Sequence, residues 1–255
     1  MKNKYNQGFT LIEMSIAILI IGVVIGGIML GQSLVTSSKL QLVITDADNY
    51  ANAAANFKQT YQGLPGDFSN AATVWGTDSN GCTAGGGASG TCSGDGDGMI
   101  ESAAAASQVG EMFLFWQHLA KAGMFNNSLV NNAGSAGVSD SLIDTNVPMG
   151  SIKGSGFSVT WLGTLSGNAD YFDGSYANAI IFGGRTSGSV SNTVILTSEQ
   201  AEAIDAKIDD GLPGTGKIRP FKNGGTINAT CASSSTAYNV SASSRLCSLI
   251  FIYGF

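Results

Sequence analysis

Gly8-Phe9-Thr10-Leu11-Ile12-Glu13 decides how this chain is read. It introduces a stretch, Met14 to Ser38, that holds no charged residue. At about 1.5 Å of rise per residue, that stretch is long enough as a helix to cross a bilayer. Glu13 stands at its head, where a carboxylate costs roughly 2.5–3.5 kcal/mol even on mild insertion scales. A residue kept at that cost implies a use.

Upstream, Met1 to Gly8 is polar and carries Lys2 and Lys4. Those lysines predict a cytoplasmic N-terminus, with the remainder of the chain outside. A secretory signal peptide would place an A-x-A-like site after the apolar run. The sequence there is Met29-Leu30-Gly31-Gln32-Ser33-Leu34-Val35. A plain membrane anchor gives Glu13 no role. Basic leader, Gly8, Phe9, Thr10-Leu11-Ile12-Glu13 and a long apolar run, in that order, resemble the processing motif of type IV prepilins and type II secretion pseudopilins.

That resemblance implies cleavage by a prepilin peptidase between Gly8 and Phe9 and methylation of Phe9 as the new N-terminus. It further implies that Glu13 pairs with the Phe9 amine of a neighbouring subunit and sets axial register. A buried carboxylate is tolerable when so paired. The implied partners are other pilin or pseudopilin subunits and an inner-membrane assembly platform. The chain departs from many family members in having Leu30 where a proline interrupts the apolar run. It has instead Gly22, Gly26, Gly27 and Gly31, two G-x-x-x-G spacings. Small residues so spaced let membrane helices approach closely. They also weaken a helix by about 1 kcal/mol each relative to Ala.

The helical pattern continues beyond the apolar run. Leu40, Val43, Ile44, Ala47, Tyr50, Ala51, Ala54, Phe57 and Tyr61 recur at three- and four-residue steps, with polar residues between them. This predicts an amphipathic helix ended by Gly63-Leu64-Pro65-Gly66. The expected layout is a leader at 1–8, a helix at 9–62 (about 9–35 within the membrane) and an extracytoplasmic head at 63–255. In the head, Phe157–Trp161 alternates apolar and polar residues as a half-buried strand does, Ala179–Phe182 and Thr193–Leu196 are strand-like, and Leu246–Phe255 predicts a buried terminal strand. Glu111–Ala122 predicts a helix, and a second is expected to start at Thr197-Ser198-Glu199-Gln200, with Ser198 as its N-cap. The fold class is α+β and pilin-like: a long N-terminal helix packed on an antiparallel-sheet head.

Four cysteines, Cys82, Cys92, Cys231 and Cys247, form no C-x-x-C. Behind an export segment they predict disulfides. Three connectivities are possible, and proximity favours Cys82–Cys92 with Cys231–Cys247. Asp95-Gly96-Asp97-Gly98-Met99-Ile100-Glu101 has the core of a calcium loop. Ca²⁺ takes several oxygen ligands. An EF-hand register would put Ser93 first and Ala104 last, where a bidentate Glu belongs, so a non-EF calcium site is expected from Asp95, Asp97, the Met99 carbonyl and Glu101. A Gly-rich acidic turn without metal is the alternative. A second acidic cluster, Asp205 to Asp210, reads most simply as a helix end entering a turn.

Charged residues make up only 12% of the chain, against a usual quarter, and the net charge is −6. With no basic patch, nucleic-acid binding is not indicated. No G-x-S-x-G, H-E-x-x-H, P-loop or Rossmann signature is present. His118 is the only histidine, expected as a packed or surface residue rather than a ligand. The reading is a non-enzymatic filament subunit, a minor pilin or pseudopilin. The competing class is a membrane-anchored extracytoplasmic binding or enzyme domain that does not polymerise.

Overall fold

The computed structural model describes residues 9–84, 86–87, 89–221, 231–232, 234–241 and 244–255. Lys2, Lys4 and Gly8 lie outside the described residues. The chain divides into two units, Met1–Gln41 and Leu42–Phe255. Helix α1, Leu11–Tyr61, contributes to both and ends one residue short of the expected boundary. It is long and apolar enough to span a membrane.

In the first unit, α1 is unbroken through Gly22, Gly26, Gly27 and Gly31. A Cβ added at any of the four would meet nothing within 4 Å. Seventeen large apolar side chains between Phe9 and Val35 are each more than half exposed. Burying such a side chain is worth roughly 1.5–3 kcal/mol. The sum far exceeds the 5–15 kcal/mol that holds a typical domain together, so this surface requires lipid or other helices around it.

The second unit is built around α3, Glu111–Lys121. Met112 through Leu119 are all buried, so this helix has no solvent face of ordinary width. The carboxyl-terminal turns of α1 supply one wall. Val43, Ala47, Ala54 and Phe57 are inaccessible, and Tyr50 meets Trp116 edge-on at 5.0 Å and Phe157 at 5.2 Å. The other wall is a four-stranded antiparallel sheet of order β1-β2-β6-β4, made from β1 Ser155–Leu165, β2 Gly174–Gly184, β4 Ile218–Pro220 and β6 Leu249–Phe251. Its register sets Phe157 against Phe182, Ile180 against Phe251, and Ile218 against Phe251. A short helix, α2 Ala71–Trp75, sets Trp75 against Tyr61, their rings 5.1 Å apart. A two-stranded pair, β3 Leu196–Thr197 with β5 Arg245–Cys247, precedes helix α4, Ser198–Ile208.

Four expectations change in detail, the first being that of Thr193–Leu196 only Leu196 lies in a strand, where it opens β3. The single terminal strand is two, because the chain leaves β3 and enters the main sheet at the buried Ser248. The N-cap of α4 is Thr197, whose hydroxyl accepts the Gln200 N–H while the Gln200 side chain takes the Thr197 N–H, so Ser198 is already inside the helix. The beginning of β1 is buried on both faces rather than one. There Ser158 Oγ meets the hydroxyls of Ser141 and Ser191 at 3.0 Å and accepts the Ser191 N–H at 2.9 Å, so loops cover its polar face.

The chain turning out of α1 passes very close to α3. Gly66 has φ +92°, and a Cβ there would lie 2.5 Å from the Glu111 carbonyl. Its N–H donates to His118 Nδ1 at 2.9 Å.

Phe57, fully buried and stacked on His118 at 6.1 Å, is the strongest single test of this packing. Phe57→Ala should cost about 3–5 kcal/mol in denaturant unfolding. Leu42→Ala, at a half-exposed position on the same helix, should stay within about 0.5 kcal/mol.

Candidate functional site

Thr10 and Glu13 form a reciprocal cap at the start of α1. The Thr10 N–H and hydroxyl both donate to Glu13 Oε2 at 2.8 Å, and the Glu13 N–H donates to Thr10 Oγ1 at 3.3 Å. Thr-x-x-Glu is the capping-box spacing, and it satisfies donors that a helix start leaves open. Thr10-Leu11-Ile12-Glu13 carried this signal in the sequence. Glu13 therefore has a local task within one chain, and its Oε1 accepts no hydrogen bond from the described residues. Phe9, the expected mature N-terminus, adjoins the cap and is exposed.

The acidic loop of the head is organised from two other carboxylates. Asp67, buried just after the Gly66 turn, accepts the N–H of Gly96 at 2.6 Å and of Gly98 at 3.0 Å. Glu111, at the amino end of α3, accepts the N–H of Asp95 at 3.0 Å and of Glu101 at 3.2 Å. Within the loop, Asp95 accepts the Asp97 N–H and Asp97 accepts the Met99 N–H. Asn178 of β2 closes it from beneath, accepting the Ile100 N–H and donating to the Gly98 carbonyl.

Asp67, Asp95 and Asp97 each bring a carboxylate oxygen within 4.8 Å of the others. Of the sequence-derived set, then, Asp95 and Asp97 are together. Glu101 is outside that group and reaches the loop through its backbone N–H. Asp67 was not legible as a member, since it lies 28 residues upstream with no spacing to mark it. Burial, reinforced by the charges of Asp95 and Asp97, raises the Asp67 carboxyl above its usual range. Burial, with Asp67 and Asp95 nearby, pushes Glu111 up to about 7.

His118 is fully buried, with Nδ1 accepting from Gly66 and Nε2 donating to the Cys92 carbonyl at 2.9 Å. Both ring nitrogens are used, so it is a neutral packing residue that joins the α1 exit to a disulfide. Burial lowers it to about 4. The disulfides are Cys82–Cys92 and Cys231–Cys247. The second acidic cluster holds a turn. Asp205 accepts the Tyr238 hydroxyl at 2.7 Å and the Gly211 N–H, Asp209 accepts the Lys217 and Ile218 N–H groups, and Asp210 accepts the Leu212 N–H and the Thr215 hydroxyl. Burial pushes Asp205 up to about 7.

These groups give the head opposing pH responses. Asp205, raised from 3.8 to about 7, contributes stability that is complete below 3.8 and is lost as pH rises through about 7. His118, lowered from 6.5 to about 4, contributes stability present above 6.5 and lost as pH falls through about 4. Asp205→Asn should therefore reduce the decline in melting temperature between about pH 5 and 8, leaving the share due to Glu111 and the acid-side loss in place. An unchanged decline would remove Asp205 as its source.

Residues 3–29 match a family model described as the prokaryotic N-terminal methylation motif. No curated protein and no solved structure matches the chain. The motif indicates a prepilin-peptidase substrate that assembles with other pilin subunits, and with the long apolar helix it points to membrane anchoring. The motif points to a structural rather than a catalytic role. Over residues 3–29 this chain carries the N-terminal methylation motif that is the hallmark of the type IV pilin and pseudopilin family, on an α+β layout of pilin-like form.

Proposed function

We propose that this chain is a minor pilin or pseudopilin, cut between Gly8 and Phe9, methylated at Phe9, and polymerised from the inner membrane by an assembly platform. The observation that carries the reading is the unburied apolar surface from Phe9 to Val35 with a carboxylate at its head. Lipid covers such a surface before assembly, and neighbouring helices cover it afterwards. The glycine spacings, open on the outside of α1, leave room for those neighbours. Lys2 and Lys4 favour a cytoplasmic N-terminus.

Glu13 separates this reading from a non-polymerising anchored domain, because the capping box gives it a purely local alternative. Gln serves at that position of a capping box nearly as well as Glu, but it carries no charge for a subunit amine. Glu13→Gln should leave membrane insertion intact and abolish incorporation into filaments. Normal incorporation of Glu13→Gln would reduce Glu13 to a helix cap. Mass spectrometry of the mature chain should find N-methyl-Phe9 at its N-terminus. A chain still bearing Met1 to Gly8 would overturn the assignment.

We also propose that the acidic loop takes Ca²⁺. Asp67, Asp95 and Asp97 offer a hard, all-oxygen donor set, which suits Ca²⁺ rather than a transition metal. A cation there would offset the burial that raises the Asp67 carboxyl, together with the smaller repulsion from Asp95 and Asp97. Calcium at about a hundredfold over its dissociation constant should raise the melting temperature by roughly 5–10 °C. Asp97→Asn should remove most of that rise. No response to calcium or chelator would leave the loop as a turn held by Asp67 and Glu111.

A further inference from the structure

Between α3 and the segment that follows it lies a cavity of about 600 Å³, within the usual 300–1,000 Å³ of small-molecule sites. One buried side chain is built to face it. Gln117 is 8% exposed and lines the cavity. Its Oε1 accepts from the buried Thr91 hydroxyl and from Asn131 Nδ2 at 3.2 Å. Asn131 cannot be turned around, because its Oδ1 takes the Gly86 N–H at 2.6 Å and a backbone N–H only donates. The Gln117 Nε2 is thereby fixed as a donor, and no acceptor among the described residues takes it.

Lys121 lies one helical turn further along the same face of α3 and also lines the cavity. It has no ion-pair partner among the described residues. Among the described residues no carboxylate lines the cavity, and the buried Asp78 behind Gly87 is answered by the Asn80 and Gly87 N–H groups and by Asn131 Nδ2. Phe125 forms part of the wall, and Asn126, Asn127 and Ser128 edge it. Phe125 is held edge-on by Tyr50 at 5.8 Å and packed on Trp116 at 5.8 Å, so its orientation is set from behind. A second depression of about 580 Å³ shares Phe125 and Asn126 and is edged by Asn49, Asn52 and Asn56 of α1.

We propose that this cavity binds an acidic sugar, a hexuronate unit whose chain extends into the second depression. Lys121 and the fixed Gln117 amide receive the carboxylate by charge-assisted hydrogen bonds. Amide side chains carry both donors and acceptors, as vicinal hydroxyls do, and so match a ring of them. Phe125 offers an apolar face to the C–H side of the ring. The first cavity draws only on residues between Gly86 and Val130 of the head, and the second adds the end of α1.

Full-length protein in zwitterionic lipid nanodiscs, free of sugar detergents, allows the test. Calorimetric titrations with glucuronate and galacturonate, with glucose, and with acetate separate the contributions. At least one hexuronate should bind about tenfold more tightly than glucose, a difference of about 1.4 kcal/mol, and acetate should not bind measurably. Lys121→Met should bring the hexuronate down to the level of glucose, and Lys121→Arg should retain binding. Binding by neither uronate, acetate binding as well as uronate, or full affinity in Lys121→Met would each overturn the proposal. Lys121 is exposed, so these variants should leave folding unchanged.

Discussion

The burial of one helix on nearly every side organises the head. Met112 to Leu119 of helix α3 are all buried, and the two polar members, Gln117 and His118, are hydrogen-bonded within the fold, so the helix is stable only inside other structure. The end of α1 and the sheet are the two layers that enclose it. Tyr50 ties them together, touching Trp116 on α3, Phe125 beyond it and Phe157 on β1. The turn after α1 must then pass close over the amino end of α3, which only a glycine at 66 allows. That pass places Asp67 over the acidic loop and the Gly66 N–H on His118. Loop, histidine and disulfide are thus set by one packing decision.

A second regularity is how the head handles negative charge. Asp67, Glu111, Asp205 and Asp209 are answered by backbone N–H groups rather than by basic side chains. Among the described residues a single ion pair occurs, Arg185 with the buried Asp140, and Asp140 also accepts the Gly188 and Ala136 N–H groups. This is consistent with a chain of 12% charged residues and 35 glycines. Loops with few side chains offer many free amides, and a carboxylate that gathers two of them stiffens a turn without a partner cation. The cost is visible in the raised carboxyls of Asp67, Glu111 and Asp205.

Sequence reasoning reached what is local and periodic. The extent of α1, the position of α3, the cores of β1 and β2, and the two cysteine pairs are all written in short-range patterns. It failed where distance or a shared surface decides. Asp67 joins the acidic loop across 28 residues, and β4 is three residues that only pairing with β6 makes a strand. Ser158 looked like the solvent side of a half-buried strand, because the loops that cover it are brought in by tertiary structure. The Thr10–Glu13 cap is a different failure. Its spacing was present, but the cost of the carboxylate in a membrane drew attention to partners outside the chain.

The order of strands has a consequence for how the head comes to exist. β6 follows every other described strand, yet it lies between β2 and β4 and, among the described residues, is the only partner of β4. Until Leu249–Phe251 arrives, the β1–β2 hairpin has an open hydrophobic edge and Ile218–Pro220 has nothing to pair with. The head therefore closes late and from its far end, through contacts between distant residues, which slows folding. A chain delivered vectorially, amino end first, would hold its sheet unfinished until Leu249–Phe251 had emerged. A truncation of a few residues past Cys247 would then remove a central strand and not a tail.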